Sequence, residues 1–440
     1  MDIKEVQLHG GLFKLTLPYR WWQWLGWVIG LIMGLGGFAG LVNGDYELLF
    51  ISAFGFFICA LISPGTIESE LHQVRKTSAN PEEFEAMAEQ KGLTIDSWFL
   101  GQSTLVPTSD PSDWVLSAPG PSTWDENNPY GPHGDGEPLA EHPVKVGTPV
   151  PATFSSFSLF FGASLLCILF AGLSAPNAEA DSTIAIIVAV IGLIWLIIGY
   201  FRSKIIAQML DTPTSLVRSM AVGNPELVGQ VRPATEGSLS VVVDGQAAMT
   251  VHHMVGYKWT YEQYQCRTVK TDEGTKEECR WVTVRSDAGG IPFILHDGTG
   301  GVKVQLNTFK RTEYGQFLKR WDSKFAKTLG QHFMTSLISG AMGYTVKDHR
   351  WTLYGLKLGN PVYLLGTATP RPQEELAKEG LDGTLQNSIL QVTGEDAPGI
   401  KSNLQRGTEL ANLGRMRSTM EMIIWPAILL LSGIGMLGLA

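Results

Sequence analysis

Cysteine is scarce in this chain, with four among 440 residues, and cationic side chains are missing altogether from three long stretches. Four cysteines are too few for a disulfide-built scaffold. None of the 33 Lys and Arg residues falls within Trp21 to Ser63, Val146 to Phe201 or Ser418 to Ala440. Ionisable groups inside lipid are costly and mark proton or ion pathways. Here such groups stand only at segment edges, as Glu47 and Glu421 do, which argues against a pump, an ion-coupled transporter or an intramembrane aspartyl protease. Gly-x-Ser-x-Gly and His-Glu-x-x-His patterns are also missing, so no catalytic set, metal or cofactor is expected. With 42 Asp and Glu against 33 Lys and Arg, the balance argues against nucleic acid as a partner.

The uncharged stretches are what the chain does have. About 17 to 25 apolar residues let a helix cross a bilayer. Each of the first two stretches is broken once by a polar turn, Asn43 to Tyr46 and Pro176 to Ser182. The expectation is an integral membrane α-helical protein with five spans, near 21–42, 47–63, 154–175, 183–201 and 421–440. Lys14 and Arg20 precede the first span, Arg202 and Lys204 follow the fourth, and Arg415 and Arg417 precede the fifth. The turns carry only Asp45, Glu179 and Asp181 as charges. Cations stay on the cytoplasmic side, so this pattern predicts a multi-pass inner-membrane protein. Its N-terminus and both large soluble pieces, 64–152 and 202–420, would be cytoplasmic, and its C-terminus outside. Gly26, Gly30 and Gly34 repeat every four residues and predict a helix-packing face. Pro426 predicts a kink or a helix start in the last span.

In the first soluble piece, Asn80, Pro81, Glu82 and Glu83 begin a helix candidate running to Gln90. Residues 101–151 are rich in Pro, Gly, Ser and Asp and predict an irregular connector, with Trp98, Trp114 and Trp124 available to pin it. His133, Asp135, Glu137 and His142 lack an ordered metal-ligand spacing and read as solvated loop.

The second soluble piece predicts a cytoplasmic α+β domain with an antiparallel, β-rich core. Leu239 to Val243, Met249 to Gln265, Arg280 to Arg285, Val362 to Gly366 and Ser388 to Val392 are its strand-like runs. Ile291 to Leu295 meets Gly301 to Leu306 across His296-Asp297-Gly298-Thr299-Gly300, a hairpin signal. Cys266 and Cys279 oppose each other across a turn near Thr271 to Gly274. A reducing compartment leaves them as two small residues on paired strands. His252 and His253, being consecutive on a strand, are expected to face opposite ways and so not to share a metal.

The order of short motifs resembles the GIDE (or BAM, "beside a membrane") domain family. It runs Val222 to Gly229, Glu236-Gly237, Val255 to Glu262, Trp281, Pro292-Phe293, Asp297 to Gly300, Gly359 to Tyr363, Leu365-Gly366, Gly394 to Gly399 and Arg406 to Leu410. The likeness covers roughly 202–440, with Asp297, Gly298 and Gly300 as the family turn motif. Leu353 departs from the pattern where a Glu is expected, and no cysteine precedes Tyr257. Mulan-type mitochondrial ubiquitin ligases add a RING to this domain. The two cysteines outside the apolar stretches cannot supply one, so ligase activity does not carry over. The composition looks like the bacterial RING-less members associated with LemA-type membrane proteins. That resemblance implies a membrane-anchored adaptor or scaffold with a LemA-like membrane protein, membrane lipids or a second copy of the chain as partner. A subunit of a transport or channel assembly is the alternative.

From Tyr314, apolar residues at Phe317, Leu318, Trp321, Phe325, Leu329, Phe333 and Leu337 fit one helical face, with Lys319, Arg320, Lys324 and Lys327 interleaved. The expectation is a basic amphipathic helix over 314–337, lying on lipid or on the sheet.

Overall fold

The computed structural model describes residues 13–43, 48–65, 69, 125, 127–139, 154–174, 182–271, 274–321, 345–381, 383, 385–398, 400–409, 412 and 419–439. The helix candidate at 81–90, Trp98, Trp114, Trp124 and His142 lie outside them. The chain divides into two compact units. One holds residues 1–80, 142–213 and 409–440, and the other 81–141 and 214–408.

In chain order the helices are α1 (Trp21–Asn43), α2 (Leu48–Ile62), α3 (Ser156–Ser174), α4 (Ser182–Asp211), α5 (Gln373–Glu379) and α6 (Thr419–Leu439). All but α5 belong to the first unit, and each forms where an apolar segment predicts a helix. The five-span reading itself does not hold. Among the described residues only Trp21–Ala39 and Ala185–Lys204 combine the length and apolarity needed to cross a bilayer. Leu48–Ile62, Ser156–Ile168 and Glu421–Gly435 are shorter apolar helices of 10–17 residues. These apolar stretches are shorter than the roughly 20 residues that a span needs. They pack instead on one another, through Ala53, Phe56, Cys59, Phe157, Phe160, Phe161, Leu165 and Leu429. Glu421 is buried, and its carboxylate accepts hydrogen bonds from the Ser155 amide at 2.6 Å, from the Ser158 hydroxyl at 2.7 Å and from the Ser155 hydroxyl. The glycine row of α1 lies against α2, where a Cβ on Gly30 would come within 2.7 Å of both Cys59 Sγ and the Gly55 carbonyl oxygen. A pair of two-residue strands, β1 (Phe13–Lys14) and β2 (Phe154–Ser155), runs parallel in the same unit.

The second unit is built of β3 (Glu226–Pro233), β4 (Leu239–Val242), β5 (Thr250–Thr271), β6 (Gly274–Gly290), β7 (Phe293–His296), β8 (Gly301–Gln305), β9 (Thr312–Glu313), β10 (Gly315–Trp321), β11 (Thr345–Lys357), β12 (Pro361–Leu365), β13 (Thr367–Pro370), β14 (Leu390–Thr393) and β15 (Asn403–Arg406). Eight of these form one sheet in the order β13-β14-β8-β7-β3-β12-β15-β9. The expected antiparallel core is in fact mixed, since β14–β8 and β15–β9 run parallel. Branched aliphatic and aromatic residues from this sheet, among them Val231, Phe293, Leu295, Val302, Val304, Val362 and Leu404, fill its core. The second sheet runs β10-β11-β5, with β4 and β6 both paired to β5. Alternation along β5 buries Trp259, Tyr261 and Gln263 and turns Lys258 outward, the two-residue period of a strand. Tyr261 stacks on Trp351 of β11 at 5.1 Å between ring centroids.

Two expectations change here. Residues 315–321 are a strand paired antiparallel with β11, not the start of a helix. The apolar doublet Phe317-Leu318 sits at a register shift between Gln316 and Leu318, and this irregularity imitates helical spacing. The rest of the 314–337 segment, from 322 onward, lies outside the described residues. Cys266 and Cys279 do oppose each other across β5 and β6, but they are joined as a disulfide.

Candidate functional site

The turn between β7 and β8 organises the densest group of polar side chains in the β-rich unit. Asp297 is buried and works as an acceptor hub. Its Oδ1 takes hydrogen bonds from the Thr299 amide (2.8 Å), the Thr299 hydroxyl (2.7 Å) and the Gly300 amide (3.2 Å), while Oδ2 takes one from the Val217 amide (2.8 Å). An Asx-type turn of this kind needs a carboxylate two residues before the amides it holds. Gly298 has φ +94°, and a Cβ there would collide with the Glu137 carbonyl oxygen. The glycine therefore serves two ends, the turn and the close approach of a second segment.

That second segment is 127–139, part of the stretch predicted to be an irregular connector. It lies along the turn through main-chain hydrogen bonds. His133 N–H donates to the Gly298 carbonyl (2.9 Å), Leu139 N–H to that of Asp297 (2.7 Å), and Gly301 N–H to that of Tyr130 (3.2 Å). His296 donates through Nε2 to the Gly131 carbonyl (3.0 Å) and accepts the Gly298 amide on Nδ1 (3.0 Å). Burial, with the nearby positive charge of Arg232, pushes the His296 imidazole down to about 3, so it stays neutral. Asn387 donates to both the Tyr130 and Gly301 carbonyls, at 2.8 and 2.7 Å.

Tyr130 anchors the segment in a buried ionic cluster. Its hydroxyl donates to Glu379 (2.8 Å) and accepts from Arg371 Nη1 (2.9 Å). Arg371 also pairs with Glu375 (2.9 Å) and Glu379 (2.5 Å). Lys303, only 2% exposed, reaches Glu375 at 2.7 Å, Glu379 at 2.9 Å and Glu236 at 3.0 Å. The short helix α5 makes this possible. Glu375 and Glu379 lie one turn apart on it, and Gly380, at φ +66°, closes it with left-handed backbone. Burial alone would raise the Glu379 carboxyl, but hydrogen bonds from Arg371, Lys303 and Tyr130 prevail and hold it at about 2. Burial alone would lower the Lys303 ammonium, and its three carboxylates raise it instead. Lys303, Arg371, Glu375 and Glu379 are thus fixed in their charged, hydrogen-bonded forms, and burial keeps the Tyr130 hydroxyl protonated. That state suits gripping a peptide rather than exchanging protons near neutral pH.

The predicted site residues fall apart spatially. Asp297, Gly298 and Gly300 form the turn just described. Lys319 and Arg320 are exposed on β10, where Trp321 ends the strand, whereas Lys324, Phe325 and Lys327 lie outside the described residues. Gly26, Gly30 and Gly34 belong to the helical unit. His252 and His253 do not face opposite ways, because a bulge turns both toward serines, Ser240 of β4 and Ser238 just before it. Lys303, Arg371, Glu375, Glu379 and Tyr130 carry no role in the sequence reading, and Glu236 enters it only as part of a short motif. The spacing of Arg371, Glu375 and Glu379, four residues apart each time, is the signal that could have found half of them. Among the described residues, Cys266, Glu277 and Cys279 are the one group of three or more metal-ligand types within 4.8 Å, and the disulfide occupies its two thiols. Comparison with family models, curated proteins and solved structures finds no match for this chain.

Proposed function

We propose that the chain is a membrane-associated adaptor whose β-rich domain recognises protein segments. The observation that carries this reading is the hold on residues 127–139. The domain holds this turn-rich segment by main-chain hydrogen bonds to the turn at 297–301 and by one buried tyrosine set into its cluster of charged side chains. That is a recognition geometry of the kind peptide-binding modules use. Association with a membrane is supported by the two long apolar stretches, of which 22% (Trp21–Ala39) and 17% (Ala185–Lys204) is buried within the fold. Helices of a water-soluble core hide their apolar side chains, whereas these leave Trp21, Ile32, Leu35, Ile186, Ile194 and Phe201 outward. The resemblance to RING-less GIDE-domain proteins supports a LemA-like membrane protein as the partner.

Two measurements test the reading. The chain is expected to stay with the membrane pellet through an alkaline carbonate wash, and release by that wash would overturn the membrane assignment. Crosslinking in native membranes is expected to recover a LemA-like protein joined to the β-rich unit. Crosslinks confined to the helical unit would overturn the adaptor role of that domain.

A further inference from the structure

The register between β4 and β5 pairs Leu239 with Met254 and Val241 with Val251, leaving Ser240 opposite two residues, His252 and His253. This is a two-against-one bulge, a device that re-aims side chains. His253 stands at φ +60°, left-handed backbone that residues other than glycine seldom occupy, and strain of this kind gathers at functional positions. Both imidazoles consequently lie over the same side of β4. Ser240 Oγ is 2.9 Å from Nδ1 of His252, and Ser238 Oγ, two residues earlier on that face, is 3.5 Å from Nδ1 of His253. The ring centroids are 6.4 Å apart, with His252 exposed and His253 half-buried.

We propose that His252 and His253 together bind a divalent transition-metal cation of the zinc class. A ligating histidine commonly donates one ring N–H to an oxygen, which fixes its tautomer and points the other nitrogen's lone pair at the metal. Here the two serine hydroxyls occupy Nδ1 and leave Nε2 as the ligating atom on each ring. With metal–nitrogen bonds of about 2.0–2.1 Å, a tetrahedral ion brings two ring centroids to about 5 Å. The rings therefore need to close by about 1 Å, a small side-chain rotation at an exposed surface. The charge on Lys357 opposes any cation, which favours ions with strong nitrogen affinity over calcium or magnesium. Water supplies the remaining coordination positions.

The test uses the full-length chain in detergent, without a polyhistidine tag or reductant, stripped with chelator and titrated calorimetrically with zinc chloride. One zinc per chain is expected. His252→Ala and His253→Asn (asparagine tolerates the left-handed backbone) each weaken binding at least ~10-fold, and Ser240→Ala weakens it by roughly 10-fold. Zinc raises the melting temperature of the wild type and leaves that of His252→Ala unchanged, a readout independent of binding heat. The double variant Cys266→Ser/Cys279→Ser keeps its zinc affinity. Failure of the wild type to take up zinc, equal affinity in both histidine variants, or loss of binding only in the cysteine variant would each overturn the proposal.

Discussion

Replacing Lys303 with methionine tests the ionic cluster most directly. The methionine fills nearly the same volume, so the change is one of charge. Lys303 and Arg371 face Glu236, Glu375 and Glu379, and the substitution leaves Arg371 as the one cation in the cluster as described here, against all three acids. Removing one partner from a buried pair costs about 3–5 kcal/mol, because the remaining charge has lost both water and counter-ion. A second estimate agrees in size. Glu379 is held at about 2 against an ordinary 4.5, a displacement worth about 3 kcal/mol at neutral pH and shared among Arg371, Lys303 and Tyr130. A loss of about 3 kcal/mol is therefore expected for Lys303→Met, read by urea unfolding of the full chain in detergent with tryptophan fluorescence. The sign with pH follows from the depressed carboxyl. Its contribution is complete above 4.5 and disappears as pH falls through about 2. In the variant the glutamates take up protons earlier, so the gap from wild type narrows as pH falls from about 4.5 toward about 2. A loss below about 1 kcal/mol at neutral pH, or a gap that stays constant on acidification, would refute the reasoning.

Three further outcomes are expected. His296 is held neutral far below its ordinary 6.5, so the folded form refuses a proton that the unfolded form accepts. Stability should fall by up to about 1.4 kcal/mol per pH unit as pH drops below 6.5, and His296→Gln should flatten that slope in a series of unfolding curves. Gly30→Leu drives a side chain into the Gly55 carbonyl and Cys59, and should cost about 1–3 kcal/mol, seen as a lower melting temperature in detergent. Cys266→Ser/Cys279→Ser opens a loop with a sequence separation of 13 and should cost about 3 kcal/mol. A melting temperature unmoved by reductant would contradict it.

How much of this was legible in the sequence depends on where periodicity is kept. β5 keeps the two-residue alternation, β7 and β8 flank an Asp-Gly turn, and β12 is a continuous apolar run, and they lie where their residues placed them. Two of the sheet's register shifts broke the rule. At Gln316 to Leu318 the shift set two apolar residues side by side and mimicked a helix, and at Ser240 it brought together two histidines that alternation would separate. A bulge is a property of two strands in register, and one strand's residues do not announce it. The ionic cluster escaped for a related reason. Its members come from residues 130, 236, 303 and 371–379, and only the sheet gathers them. The helices lie close to their expected bounds, but counting every uncharged stretch as a span overreached, since lack of charge does not distinguish a lipid-facing helix from one packed around a buried Glu421.

The grip on Tyr130 also constrains how the polypeptide can be threaded. Leu139 and Thr214 belong to the same folded body, so whatever barrier the chain passes between them it must pass again in the other direction. Crossings in that interval come as none or as a pair, and reporters fused near the two residues must read the same compartment. A fragment starting at Thr214 would lose the tyrosine that Arg371 and Asn387 hold, so the domain made alone is a different object from the domain made whole.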